Sequence, residues 1–95
     1  MIKVVAKGKL KPDVKAEEYI RISRELVAET RKEEGCISYA LFEELNDPSI
    51  FTMLEEWENE EALEKHNQTE HMKRIIPELS KLRESMEVNI YREVE

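Results

Sequence analysis

Apolar residues recur with a period near two over residues 2–10, from Ile37 to Phe42, from Ile50 to Trp57 and over residues 86–94, and with a period between three and four in the stretches between. The first spacing belongs to strands, whose successive side chains face opposite ways; the second belongs to helices with one buried stripe. In the first strand Ile2, Val4 and Ala6 fall on one side, and Lys3, Val5 and Lys7 on the other. Gly8 marks a bulge or a close backbone approach. Lys11-Pro12-Asp13 ends that strand, with Asp13 as N-cap of a helix from about Val14 to Glu33. Its stripe is Tyr19, Ile22, Leu26, Val27 and Thr30, and Gly35 stops it. Asn46-Asp47-Pro48-Ser49 turns the chain between the middle strands, since Asn and Asp bond their own backbone and Pro fixes φ. Ala62, Leu63 and His66 suit a short helix from about Glu60, which breaks at Asn67-Gln68-Thr69. Met72, Ile75, Ile76 and Leu79 suit a further piece from Glu70 towards Leu82, with Pro77 kinking it or opening a new turn.

The order strand, helix, strand, strand, helix, strand is the split βαβ arrangement: an α+β, ferredoxin-like fold with an antiparallel sheet and its helices on one face. The opposite face then carries too many large apolar residues, among them Val4 or Val5, Ile37 or Phe42, Leu54, Val88 and Ile90. A sheet that is apolar on both sides needs a second cover, and the simplest is the same sheet from another copy about a two-fold axis. A homodimer is expected. Composition adds limits. Ninety-five residues make a single domain, 1–95, with a small core. A net charge of −7 argues against nucleic acid, whose phosphates need clustered Lys and Arg. No apolar run is long enough to cross a membrane, and one cysteine, Cys36, makes no internal disulfide, which fits a reducing cytoplasm.

Two glycines leave no phosphate-cradling loop, no nucleophile elbow is present, and Cys36 reads as a small core residue. The chemistry concentrates where a strand ends and a helix begins. Trp57 shares a strand face with Phe51, Met53 and Glu55. If that face is buried, Glu55 needs a partner or a raised pKa. His66 and His71, on one continuous helix, would point about 140° apart, so only the break between them lets them converge. Either suits a general base or a pocket hydrogen bond; the plainer reading is a helix-end histidine paired with a nearby Glu. As a metal pair they carry little signal, with no cysteine beside them, and no metal is expected. A carboxylate, an indole and an imidazole around one cavity would suit a planar, ionisable, aromatic ligand.

The run EGCISYALFEELNDPSIFTMLEEWENEEALEKHNQTEHM, Glu34 to Met72, resembles the antibiotic biosynthesis monooxygenase (ABM) family. The matching pieces are Gly35-Cys36-Ile37-Ser38-Tyr39, Asp47-Pro48, Glu55-Glu56-Trp57, Ala62-Leu63, His66 and His71-Met72, and the outer strands agree with the family's layout. The resemblance implies a dimeric α+β barrel and the oxidation of a quinol or related aromatic by molecular oxygen, without flavin, metal or other cofactor. It implies that Trp57 lines the pocket and orients the ring, that His66 is the base or hydrogen-bond partner, and that His71 and Glu55 support it. Met53, Phe51 and Met72 are candidate lining residues. Met53 stands where polyketide-oxidising members carry asparagine. Ala6 and the run Lys73-Arg74-Ile75-Ile76 lack the asparagine and histidine of haem-degrading relatives. The pattern is nearest the small bacterial quinol-monooxygenase-like members.

Two other functions stand beside this one. A non-oxidative isomerase of a small phosphorylated metabolite would need a cationic site, with Lys3, Lys7, Lys73 and Arg74 as candidates. A non-catalytic dimeric module that binds a small ligand would have its pocket filled by Met53, Phe51 and Met72, whereas an open cavity touching His66 and Trp57 would count against it.

Overall fold

Strand β1 (Ile2–Leu10) alternates as its sequence predicts, burying Ile2, Val4, Ala6, Gly8 and Leu10 against the helices while its lysines stay in solvent. The computed structural model describes residues 1–95, and in it β1 lies inside a four-stranded sheet of order β2-β3-β1-β4, antiparallel throughout. The remaining elements are α1 (Ala16–Thr30), β2 (Cys36–Glu44), β3 (Asp47–Trp57), α2 (Glu60–Asn67), α3 (Glu70–Leu82) and β4 (Arg83–Arg92). This is the expected α+β, ferredoxin-like arrangement. The helices cover one face of an open sheet, over a core that includes Leu26, Tyr39, Trp57, Ile75 and Leu79. No helix is long and apolar enough to cross a membrane.

Several boundaries differ from the expected ones for local reasons. Pro12 and Asp13 sit in a turn closed by the Val14 amide donating to the Lys11 carbonyl (3.1 Å), so Asp13 lies outside the helix. Lys15 is the N-cap and gives no side-chain bond; Glu17 and Glu18 in the first turn complement the helix dipole instead. The helix ends at Thr30, and residues 31–35 form a turn that frees Glu33 from the helix surface. Gly35 follows with φ +90°, and a Cβ there would lie 2.6 Å from the Cβ of Ala62. It is therefore glycine for both its backbone and the close approach of α2. The β2–β3 turn is shorter than expected. Asp47 already pairs with Glu44, and its Oδ1 accepts from the amide and hydroxyl of Ser49 (3.0 and 2.6 Å). Pro48 sits at the strand's start beside a register shift, where a missing donor is tolerated. Helix α3 runs through Pro77 as one element.

The bulge assigned to Gly8 falls instead between Lys9 and Leu10. What approaches Gly8 is a side chain, since a Cβ there would meet Cδ of Arg83 at 2.8 Å. The two sides of the sheet also sort differently from the sequence reading. Val5 and Leu54 face each other on the side away from the helices, with Ala40 beyond, and Phe42 pairs with Thr52 on that side. Val88 and Ile90 pair with Ala6 and Val4 and so lie on the helix side. They are nevertheless 52 and 60 % exposed, because β4 is an edge strand that the helices leave uncovered.

Candidate active site

Strand β3 delivers Phe51, Met53, Glu55 and Trp57 to the buried face, as the alternation predicts. Trp57 is wholly buried and its indole Nε1–H donates to Oε1 of Glu55 (3.0 Å). Burial pushes the Glu55 carboxyl up to about 7; the indole bond opposes the rise and the nearby Glu33 charge adds to it. Tyr39 on β2 meets Trp57 edge-on at 6.4 Å between centroids, and His66 on α2 packs against the indole at 4.6 Å.

The histidines converge because the chain breaks between them. Helix α2 ends at Asn67, the Thr69 hydroxyl donates to the His66 carbonyl (2.8 Å) and accepts from the Met72 amide, and α3 starts on a new axis. His66 Nδ1 then lies 2.8 Å, and His71 Nε2 2.6 Å, from the same oxygen, Oε2 of Glu33. A carboxylate only accepts, so each of these nitrogens carries the hydrogen. That leaves Nε2 of His66 as the lone-pair nitrogen, and it is buried with no partner. Burial pushes the imidazole of His66 below its ordinary range, with the Glu33 bond acting in the other direction.

A cavity of about 220 Å³ opens between the sheet and helices α1, α2 and α3. Met53, Glu55, His66 and Met72 line it, together with Tyr39 and, at the β4 edge, Met86, Val88 and Ile90. Three expected lining residues stand elsewhere. Trp57 lies behind the wall, stacked on His66 and bonded to Glu55. His71 bonds Glu33 and does not line the cavity. Phe51 borders a more open groove of about 550 Å³ between α1 and β2, which has Arg24 and Arg31 at its rim and none of the grouped histidines. The enclosed cavity is therefore the candidate site. Glu33, which orients both histidines, escaped the sequence reading because nothing separates it from the other acidic side chains; Asp and Glu together number 22. Arg83, the cavity's one cationic side chain, was also missed; its guanidinium donates to the Tyr19 hydroxyl (3.2 Å).

The arrangement can accept a proton from a ligand hydroxyl at His66 Nε2 and, while Glu55 is neutral, donate one back from its carboxyl. Cys36 adds nothing to this chemistry: burial and the Glu33 charge push its thiol up, away from the reactive thiolate. The only grouping of potential metal ligands is Glu33, His66 and His71, whose ligating atoms all lie within 4.8 Å of one another.

Comparison with known proteins places the fold and the sequence together. Residues 1–78 match the family described as antibiotic biosynthesis monooxygenase. A Bacillus subtilis (strain 168) protein named "Putative monooxygenase YcnE" is 40 % identical over 76 residues, covering 80 % of this chain and 79 % of that one. The crystal structure of a conserved protein from Methanosarcina mazei Go1 superposes with a TM-score of 0.92 at 46 % identity, over 97 % of this chain and 91 % of the other. A crystal structure described as an antibiotic biosynthesis monooxygenase gives 0.91 at 34 % identity over the whole of both chains.

Proposed function

This chain belongs to the antibiotic biosynthesis monooxygenase family, and from that premise we propose that it oxidises a small quinol or related phenol with molecular oxygen, without a cofactor. The observation that carries the reading is that His66 borders an apolar cavity with Nδ1 pinned to Glu33 and Nε2 buried without a partner. A substrate hydroxyl donates to Nε2 and passes its proton there; Glu33 stabilises the imidazolium that forms, as the acid does in any oriented histidine base. Neutral Glu55, on the same wall, donates to the substrate's second oxygen and steadies the anion. The electron-rich ring then reduces oxygen: one oxygen atom enters the ring, the other leaves as water, and a benzenediol becomes a hydroxyquinone. Four electrons leave the ring and four reach oxygen, so no external reductant is needed. At about 220 Å³ the cavity is below the ~300 Å³ at which drug-sized sites begin, which favours a substrate of one or two rings.

Oxygen uptake by metal-stripped protein, measured with a panel of one- and two-ring quinols, tests this. Uptake above the buffer rate is expected, falling by about 10²-fold or more in His66→Ala. Failure with every quinol, or an unchanged rate in the variant, sinks the reading. The isomerase alternative has less support: Lys3 pairs with Glu56 (3.6 Å), Arg74 with Glu25 and Glu70, none of Lys3, Lys7, Lys73 and Arg74 lines the cavity, and Arg83, the single cation that does, is bonded to Tyr19. The binding-module alternative loses some ground to an open cavity that reaches His66, although Trp57, the other half of that test, stands behind the wall.

The working form we propose is a homodimer in a reducing, cytoplasmic setting, the latter supported by the free Cys36. Val5, Ala40, Phe42 and Leu54 give the outer sheet face an apolar centre that a second copy would cover. Leu54→Asp puts a charge at that centre, and sedimentation is expected to show a monomer with a clearly lowered melting temperature. A dimer that sediments and melts like wild type would remove this assembly.

A further inference from the structure

The reaction above requires one group to orient His66, yet Glu33 holds two histidines with a single oxygen. His71 does not line the cavity, and a base needs no second imidazole. Two imidazole nitrogens and a carboxylate oxygen, brought together from the turn after α1, from α2 and from α3, are the donor set of a three-residue zinc-type centre. The side chains are 14 % (Glu33), 1 % (His66) and 13 % (His71) exposed, so the set is shielded but not sealed. Glu33 also lines a shallow crevice of about 330 Å³ together with Glu34, Glu58 and Glu61, the one cation there being Lys65. That acidic mouth gives a cation an approach from solvent and leaves room for a water.

We propose that Glu33, His66 and His71 form a binding site for a late first-row divalent cation, Zn²⁺ being the type, with water as the fourth ligand. Ligand atoms around a tetrahedral zinc stand about 3.3 Å apart, given metal–ligand distances of ~2.0–2.1 Å. The two Glu33 contacts, at 2.8 and 2.6 Å, must open by roughly half an ångström or a little more, and the two histidine nitrogens, now within 4.8 Å of each other, must settle at that same spacing. Glu33 sits in a turn rather than a helix, so its side chain can swing that far. The cation takes no part in the oxidation.

Its effect on the cavity rests on the reading of His66 as the base. A neutral imidazole ligating through Nδ1 carries its hydrogen on Nε2. Nε2, the nitrogen left without a partner, would turn from acceptor to donor, and the base would be lost. The bound cation is then an inhibitory ligand acting from behind the site.

Titration of metal-free protein with Co²⁺, followed by visible absorption, and with Zn²⁺, followed by calorimetry, tests the site without any substrate. One ion per chain with the spectrum of tetrahedral cobalt is expected, and Glu33→Gln and His71→Gln should each weaken binding by at least ten-fold. Thermal melts without metal show whether the variants fold. Binding that is equal in folded variants, or an octahedral spectrum typical of surface carboxylates, overturns the site. Oxygen uptake with and without Zn²⁺ is scored separately: inhibition that disappears in His71→Gln supports the tautomer consequence. Tight binding with undiminished uptake overturns that consequence alone, and His66-dependent uptake without any Zn²⁺ binding overturns the site while leaving the oxidation standing.

Discussion

Trp57→Ala is expected to cost about 3–5 kcal/mol of folding stability, the range for emptying a buried aromatic position. The whole margin for a domain is about 5–15 kcal/mol, and one of this length has a small core to draw on. The cost comes from three places. The indole is fully buried between Tyr39 and His66, so its removal leaves a cavity beneath both rings. The backing of His66 disappears, loosening the side chain that carries the proposed proton transfer. Oε1 of Glu55 loses its donor and is left buried and unpaired. Trp57→Phe keeps most of the ring but not the N–H, and should cost distinctly less. The urea midpoints of the two variants check this, and equal losses would mean that packing against Trp57 is not what holds the junction.

The second large effect is one of sign as well as size. Glu55→Gln should stabilise the protein at pH 8–9 by up to about 3 kcal/mol and have little effect near pH 4–5. The carboxyl titrates at about 7 in the folded chain against an ordinary 4.5. Between those values the folded state holds a proton that the unfolded state has released. Stability is therefore highest at and below the ordinary value and declines as pH rises through about 7. Glutamine keeps the acceptor for the indole and never has to ionise, so the variant escapes that decline. Melting temperatures across pH 5–9 should cross or converge at the acid end. Parallel profiles would show that Glu55 ionises as readily in the fold as outside it.

Much of this junction is legible in the chain itself. The alternation Phe51, Met53, Glu55, Trp57 puts an acid among apolar neighbours, and that misplacement is the signal that its pKa is disturbed. The break at Asn67-Gln68-Thr69 is readable from turn-forming residues, and with it the possibility that His66 and His71 meet. What they meet on is not readable. Glu33 is thirty-three residues from His66, and its role depends on where the turn after α1 comes to rest. Trp57 shows another limit: a large ring at a strand end reads equally as pocket wall or as buried core, and only tertiary packing decides. For β4, the alternation shows that Met86, Val88 and Ile90 share a face. Which face is set by their register against Gly8, Ala6 and Val4, a long-range pairing without a local code. Asp13 failed as a cap because Pro12 drew it into a turn of its own.

Helix α3 ends at Leu82 and strand β4 begins at Arg83, with no connecting residue between them. Met72, Ile76 and Leu79 on the helix and Met86, Val88 and Ile90 on the strand form facing walls of one cavity. The two walls are thus the limbs of a single bent lever rather than separate parts. A ligand that presses on either wall therefore loads the junction at Leu82-Arg83, which both walls share.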